Sequence, residues 1–356
     1  MKVAIAAGGT GGHVYPAVAV AGALLSRNHK VHWFGRPSSL EETEARNLGV
    51  PYTAIPLQGL KRRWTLENLR ALSRFVAGRH IAIQTLRSQK PDVLFALGSY
   101  VSAPVVSAAC SLKVPFALHE QNVVPGLVVA RYARKAATVL LTRPLTGEPL
   151  KARSQVVGMP LREGIVLPPS PQWYADLGLN PERKTLFIFG GSQGARTLCA
   201  AGLKLAERWV NEQPEWQILM QTGVANKAWV EDSLSTDNVV PVGHLHQMGK
   251  AYACADVVVS RSGAVSCAEI EAVGKPAVLV PYPHATRNHQ MLNAESFIQT
   301  NPGVLLEDSC LDAESLDRAA LSLFGKRTSM GHAAASANPV DSIIESLSDI
   351  ARGKTR

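Results

Sequence analysis

Two doubly wound α/β lobes facing one another across a cleft are the fold class this sequence predicts, and three observations predict it. Short β-branched runs alternate with helix-period segments along most of the chain, the pattern of parallel sheets built from βαβ units. A glycine-rich loop of one design occurs in each half: Gly8-Gly9-Thr10-Gly11-Gly12-His13 and Gly190-Gly191-Ser192-Gln193-Gly194-Ala195. Each follows an apolar run and opens into a helical pattern. Finally, 356 residues exceed one typical core, so two domains are expected.

Taken in order, the first half offers strands at Val3–Ala7, Lys30–Gly35, Val93–Leu97, Phe116–His119 and Thr138–Leu141. Helices over Ala17–Ser26 and Thr65–Arg79 fall between them. The uncharged run Val93–Leu112 suggests a membrane span by length. Gly98-Ser99, Pro104 and several serines instead divide it into a buried strand, a loop and a helix starting near Pro104. Between Val157 and Lys184 the alternation fails and Pro160, Pro168, Pro169, Pro171 and Pro181 crowd together, as expected of an interdomain linker holding a short helix. Alternation restarts at Leu186–Phe189, Gln217–Thr222, Val239–Val242, Val257–Ser260 and Ala277–Pro281. The expected boundaries are a first domain over 1–157, a linker over 158–184 and a second domain over 185–339, with a helix in 340–356 crossing back onto the first. Ligands of such sheets sit at the carboxyl ends of the strands.

Hydrophobic content of 46% with 18% charged residues describes a folded chain and excludes a disordered one. A net charge of +9 points toward anionic partners without separating nucleotides, phospho-ligands, nucleic acid and acidic membranes. Cys110, Cys199, Cys254, Cys267 and Cys310 are odd in number and lack metal-ligand spacing; they read as reduced core thiols of a cytoplasmic protein. Met1–Ala7 lacks the basic region and long apolar stretch of a signal peptide and reads as a first strand.

A strand–glycine–helix junction presents unpaired backbone N–H groups and the positive end of a helix dipole, which suits a phosphate or diphosphate. Gly8–His13 lacks the Gly-Lys-Ser/Thr of a Walker loop and is not GxGxxG, since Val14 holds the third glycine position. Four glycines in five positions exceed what a tight turn requires, so it reads as a ligand loop. His13 at the helix start is a plausible general base, because a helix N-terminus favours the neutral ring. Gly98-Ser99-Tyr100 and His119-Glu120-Gln121-Asn122 end neighbouring strands at the same sheet edge; either they cap loops or they line a polar site.

In the second half Ser260-Arg261-Ser262-Gly263-Ala264 repeats the strand–loop–helix geometry. Glu269 within that helix either accepts both hydroxyls of a ribose or is a solvated helix residue. Pro281-Tyr282-Pro283-His284 through Gln290 and Asn293 forms a further polar loop whose amides suit sugar hydroxyls. No Asp-x-Asp pair occurs, so a nucleotide-sugar enzyme of this sequence would neutralise its leaving diphosphate with helix dipoles and Arg or Ser groups. Lys61–Lys90 carries Lys61, Arg62, Arg63, Arg70, Arg74, Arg79, Arg87 and Lys90 against one acid, Glu67, with Trp64, Leu66, Leu69, Leu72, Phe75 and Val76 interleaved. Such a helix either lies on an anionic bilayer or buries its apolar stripe in the core.

Together these segments resemble the peptidoglycan N-acetylglucosaminyltransferase family commonly called MurG. The matching pieces are Gly8–Pro16, Gly98–Pro104, His119–Asn122, Gly190–Arg196, Arg261–Ala264 with Glu269, and His284 through Gln290 to Asn293-Ala294, in the family's order over nearly the whole chain. The resemblance implies a GT-B fold of two Rossmann-like lobes. It also implies inverting transfer of GlcNAc from UDP-GlcNAc to the MurNAc 4-hydroxyl of lipid I, undecaprenyl-pyrophosphoryl-MurNAc-peptide. The product is lipid II, made peripherally on the cytoplasmic face of the bacterial membrane. Thr10, Gly11, Gly12, Asn122, Arg162, Ser192, Leu245, Ala264, Val265, Ser266, Cys267, Ala268, Glu269 and Gln290 would contact the donor, Leu245 through its backbone at the uracil edge and Glu269 at the ribose.

By the same resemblance His13 and Glu120 are the catalytic candidates, His13 as base, and Tyr100, His119 and Asn122 line the acceptor side. No cofactor, metal or nucleic-acid partner is implied, and Lys61–Lys90 becomes the expected membrane patch. One departure stands in the linker: Gly158-Met159-Pro160-Leu161-Arg162 has Met where the family usually shows Asn. The rival expectations are a GT-B enzyme acting on a soluble acceptor, such as a UDP-GlcNAc 2-epimerase, and a non-catalytic nucleotide-binding scaffold.

Overall fold

The computed structural model describes residues 1–57, 66–147, 150–191, 194–326 and 338–354, the side chains of 66–70 excepted. The chain divides into two compact units, Met1–Arg162 with Ala337–Arg356, and Glu163–Ser336. In the first unit run β1 (Lys2–Ala6), α1 (Gly11–Ser26), β2 (Lys30–Gly35), α2 (Leu40–Asn47), β3 (Tyr52–Ala54), α3 (Leu66–Gln89) and β4 (Val93–Ala96). They are followed by α4 (Ala103–Leu112), β5 (Phe116–Glu120), α5 (Leu127–Tyr132), β6 (Thr138–Leu141) and β7 (Ser154–Val156). The strands pair parallel in the order β3-β2-β1-β4-β5-β6-β7.

The second unit holds α6 (Pro171–Leu177), β8 (Lys184–Phe189), α7 (Arg196–Glu212), β9 (Trp216–Gln221), α8 (Lys227–Asp232), β10 (Val239–Val242) and α9 (Met248–Cys254). It continues with β11 (Val257–Ser260), α10 (Ala264–Val273), β12 (Ala277–Leu279), α11 (His289–Ile298), β13 (Gly303–Leu305) and α12 (Ala313–Leu323). Its parallel order is β10-β9-β8-β11-β12-β13. The last helix, α13 (Pro339–Ala351), belongs to the first unit.

In each sheet the strand order reverses once, between β1 and β4 and between β8 and β11. Segments leaving the carboxyl ends there diverge and open the crevice that binds ligands in such folds. Both glycine loops leave the first strand of such a pair. Helices cover both faces of the first sheet, so its central strands are continuous apolar runs. On one face α1 packs Val14, Ala17, Val20, Ala21 and Leu24 with Ile343, Ile344, Leu347 and Ile350 of α13. On the other lie Ala82 and Leu86 of α3 with Val105, Val106 and Ala109 of α4.

The observed elements depart from the expected ones where local sequence is weak. α1 starts at Gly11 rather than Ala17, so His13 lies inside its first turn and Pro16 in the second. Thr10 is its extended N-cap. α3 runs on to Gln89 rather than stopping near Arg79. Three short edge strands, β3, β7 and β13, carry too few buried residues to show a pattern; all of β7 is exposed. The uncharged run Val93–Leu112 is the buried β4, a loop and α4. No helix among the described residues is long and apolar enough to cross a membrane.

Candidate functional site

The chain leaving β1 turns through Gly9, whose φ of +103° is open to glycine at little cost. Thr10 then caps α1 with its backbone: its carbonyl accepts from His13 N at 3.0 Å and Val14 N at 3.1 Å. The Thr10 hydroxyl makes no cap hydrogen bond and α1 has no acid in its first turn, so neither consumes the amides of Gly11 and Gly12. The loop is held from behind by an ion pair that the sequence did not point to. Glu41, wholly buried, accepts from Gly9 N at 3.3 Å and from Arg36 Nε at 3.2 Å, while Arg36 Nη2 donates to the Gly9 carbonyl at 3.2 Å. A side chain at Gly8 would collide with Glu41. The only sequence signal for this brace is a charged pair just beyond a strand that neighbours β1.

His13 is half-buried and its Nδ1 lies 3.0 Å from Gln121 Oε1. Gln121 Nε2 lies 3.0 Å from His119 Nδ1 and 3.3 Å from the His119 carbonyl, and His119 Nε2 is 3.4 Å from the Gly158 carbonyl. His119 is fully buried, and loss of hydration pushes its pKa down to about 4, so the ring is neutral near pH 7. Glu120, also buried, accepts on Oε1 from the backbone and side-chain nitrogens of Asn122 at 3.1 and 3.2 Å and on Oε2 from Gly126 N at 2.7 Å. Burial raises its pKa, opposed by these hydrogen bonds. Its carboxylate therefore shapes the 121–126 loop.

Tyr100 is 40% exposed, and its ring edge would meet a Cβ on Gly9 at 3.3 Å. Arg162 stacks on Tyr15 of α1, 3.8 Å from the ring centroid. The fold thus brings Thr10, Gly11, Gly12, His13, Tyr100, His119, Glu120, Asn122 and Arg162 to one edge of the first sheet. Met159, in place of the family's Asn, is buried and receives the Thr142 hydroxyl on its sulfur at 3.9 Å.

In the second unit Gly191 and Gly194 both have positive φ, and a side chain on Gly194 would strike the Thr222 backbone. Ser192 and Gln193 lie outside the described residues. Gln221, at the end of β9, is a second residue the sequence did not reveal. Its Nε2 donates to the Gly191 carbonyl at 3.2 Å and its Oε1 accepts from Leu245 N at 3.0 Å, tying the glycine loop to the 243–247 loop. With its amide so engaged, Leu245 has its carbonyl as the backbone group to offer.

Gly263 caps α10, with Ala264, Val265 and Ser266 half-buried in its first turn and Cys267, Ala268 and Glu269 buried behind them. Glu269 is 5% exposed and its Oε2 accepts from Tyr252 OH at 2.9 Å, which rules out the solvated-helix alternative. Ser262 donates to the Gln290 carbonyl at 2.7 Å, Gln290 Oε1 accepts from Tyr282 N at 2.9 Å, and Asn293 donates to the Ser262 carbonyl at 3.2 Å. Arg261 is committed inward, to the Val280 and Pro281 carbonyls, Thr197 and Asp308. Charge compensation of a ligand here falls to loop amides and helix dipoles. Among the described residues no cluster of three His, Cys, Asp or Glu is placed to hold a metal ion.

Residues 3–141 match the glycosyltransferase family 28 N-terminal domain and 185–348 the family 28 C-terminal domain. A UDP-N-acetylglucosamine--N-acetylmuramyl-(pentapeptide) pyrophosphoryl-undecaprenol N-acetylglucosamine transferase of Bacillus cereus is 34% identical over 327 residues, 89% of each chain. The enzyme of that name in Bacillus subtilis is 34% identical over 325 residues, covering 89% of this chain and 88% of its own. Among solved structures the MurG of Acinetobacter baumannii superposes with a TM-score of 0.75 at 24% identity, over 98% of this chain and 99% of the other.

Proposed function

Since the chain belongs to the MurG family of glycosyltransferases, built from the two halves of family 28, we infer from its side chains how it performs that family's reaction. It transfers N-acetylglucosamine from UDP-GlcNAc to the undecaprenyl-pyrophosphoryl-N-acetylmuramyl pentapeptide of peptidoglycan synthesis. The observation that carries the mechanism is the imidazole of His13 at the mouth of a braced glycine loop, its Nδ1 held by a side-chain amide. The acceptor's 4-hydroxyl gives its proton to His13 Nε2 as its oxygen attacks C1 of the GlcNAc. The bond from C1 to the diphosphate breaks on the opposite face, UDP leaves with the electron pair, and configuration inverts. The leaving diphosphate meets helix N-termini and loop amides, dipoles already oriented before charge develops.

The second unit supplies the nucleotide contacts. The Leu245 carbonyl suits the uracil imide N–H, Glu269, oriented by Tyr252, suits the ribose, and Ser192 with the first turn of α10 from Ala264 suits the phosphates. Gln290 suits the sugar hydroxyls. From the first unit, Thr10, Gly11, Gly12, Asn122 and Arg162 are assigned to the reacting end of the donor. Tyr100 and His119 fall to the acceptor side, His119 as part of its wall. Glu120 acts by shaping the loop that carries Asn122 and Gln121. Exposed Leu72 and Val76 on α3, within the basic sequence segment Lys61–Lys90, support docking on an anionic membrane, where a lipid-linked acceptor resides.

Transfer of labelled GlcNAc from UDP-GlcNAc to a short-chain lipid I analogue tests this reading. His13→Ala is expected to lower kcat by about 10²- to 10⁴-fold with UDP affinity unchanged. Unaltered turnover in that variant would remove His13 as the base. Formation of only free GlcNAc or an epimer by the unmodified chain would remove the transfer reaction itself.

A further inference from the structure

We propose that Gln121 is the positioning residue that holds His13 in its Nδ1–H tautomer and so keeps the Nε2 lone pair for the acceptor's proton. The inference deepens the reading of His13 as base and rests on it for its catalytic consequence. A neutral imidazole has one donor and one acceptor nitrogen, and which is which follows from its partners. Here two backbone carbonyls, which only accept, fix the direction of every hydrogen bond in the chain.

The Gly158 carbonyl stands 3.4 Å from His119 Nε2, so that nitrogen carries the ring's proton and Nδ1 is left as an acceptor. The His119 carbonyl stands 3.3 Å from the Gln121 amide, so the amide end facing it is the N–H₂. The same N–H₂ donates to His119 Nδ1 at 3.0 Å. The oxygen of Gln121 consequently faces His13, and at 3.0 Å it receives a proton from Nδ1. An amide flip would set N–H₂ against His13 and oxygen against both a carbonyl and a lone pair, two repulsive contacts in a site where Gln121 and His119 are all but inaccessible.

Burial reinforces the order of the relay, because a neutral His119 has no second N–H to offer Gln121. The relay also ends on Gly158, the first residue of the expected linker, so the backbone at that point reads out through two side chains onto the base. In water the Nε2–H tautomer of a neutral imidazole predominates, which would place the proton on the atom that must accept one. Gln121 supplies the opposite bias through the hydrogen bond it accepts from Nδ1.

The test is a long-range proton–nitrogen spectrum of the whole chain labelled with ¹⁵N-histidine at neutral pH, with the His13 signals assigned by their loss in His13→Ala. The expected pattern is Nδ1–H with a pyridine-type Nε2 at His13, and the reverse at His119. Gln121→Met, close in size and unable to accept, is expected to shift His13 toward Nε2–H and to lower kcat at least about tenfold, leaving KM for UDP-GlcNAc in place. Gln121→Glu still accepts from His13 Nδ1; it is expected to keep that tautomer and more of the kcat, while turning His119 to Nδ1–H. A pyridine-type Nδ1 at His13 in the unmodified chain, a measurement that needs no variant to fold, overturns the proposal, as does an unchanged tautomer in Gln121→Met. If the tautomer moves as expected but Gln121→Met and His13→Ala both keep full turnover, the hydrogen-bond assignment stands and the reading of His13 as base fails.

Discussion

His119 shows how a single buried side chain ties the site to pH. Its folded pKa of about 4 lies below the ordinary 6.5, so above pH 6.5 both folded and unfolded chains carry it neutral. As pH falls from 6.5 toward 4 the unfolded state takes up a proton that the folded state refuses, and stability drains away by about 3 kcal/mol over that window. Urea unfolding of the first unit at about pH 7 and about pH 4.5 checks this. The loss is expected to be smaller in His119→Asn, which cannot titrate; an equal loss in both chains would assign the pH dependence elsewhere. Glu41 and Arg36 make the complementary point about charge. Paired with each other and with both polar groups of Gly9, they order a loop whose glycines alone would leave it loose.

Among the elements, α3 bears on the two sequence readings of the basic segment. Its core face is Ala71, Ala82 and Leu86, whereas Leu72 and Val76 are 60% and 59% exposed, so only part of the apolar stripe is interior. Arg79 is drawn onto α4 by Ser107 and Ser111. Lys61, Arg62, Arg63 and Trp64 lie outside the described residues. Arg62→Glu with Arg74→Glu is expected to weaken sedimentation with anionic vesicles at low salt and to spare UDP affinity. Unaltered sedimentation would remove the patch. The turn after β9 invites a second test, because Gln221 joins the glycine loop to Leu245. Gln221→Ala removes the partner of the buried Leu245 amide and of the partly buried Gly191 carbonyl. It is expected to cost about 1–3 kcal/mol and to weaken UDP binding with little change in acceptor KM.

At the scale of the whole chain, each unit has its own hydrophobic core, so unfolding is expected in two transitions rather than one. Trp173, Trp209, Trp216 and Trp229 belong to the second unit and Trp33 to the core of the first, which lets fluorescence follow the two apart. UDP at about a hundredfold over its Kd is expected to stabilise the second unit by about 2.7 kcal/mol and so raise its transition. A shift confined to the first unit would contradict the assignment of nucleotide contacts to Glu163–Ser336. The return of α13 matters here too, since its four buried aliphatics complete the first core from the far end of the sequence.

Much of this was legible in the residues. Lys30–Gly35, Thr138–Leu141 and Val257–Ser260 are strands at the bounds their β-branched runs suggest, because an interior strand writes its length in apolar residues. The order of the motifs carried the family and its chemistry, since the need for a bare loop at a helix start leaves glycines that can be read directly. The short edge strands were silent, having little to bury. What only the folded chain decided is which polar groups spend themselves on one another: Arg261 and Glu120 on the protein itself, Glu41 on Gly9, Gln121 between two histidines, Gln221 between two loops. Many of these partners, such as Gln121 with His13 and Gln221 with Gly191, come together from different elements through hydrogen bonds whose direction depends on both ends. Periodicity and spacing record which surfaces leave water, but not which donor finds which acceptor once they have.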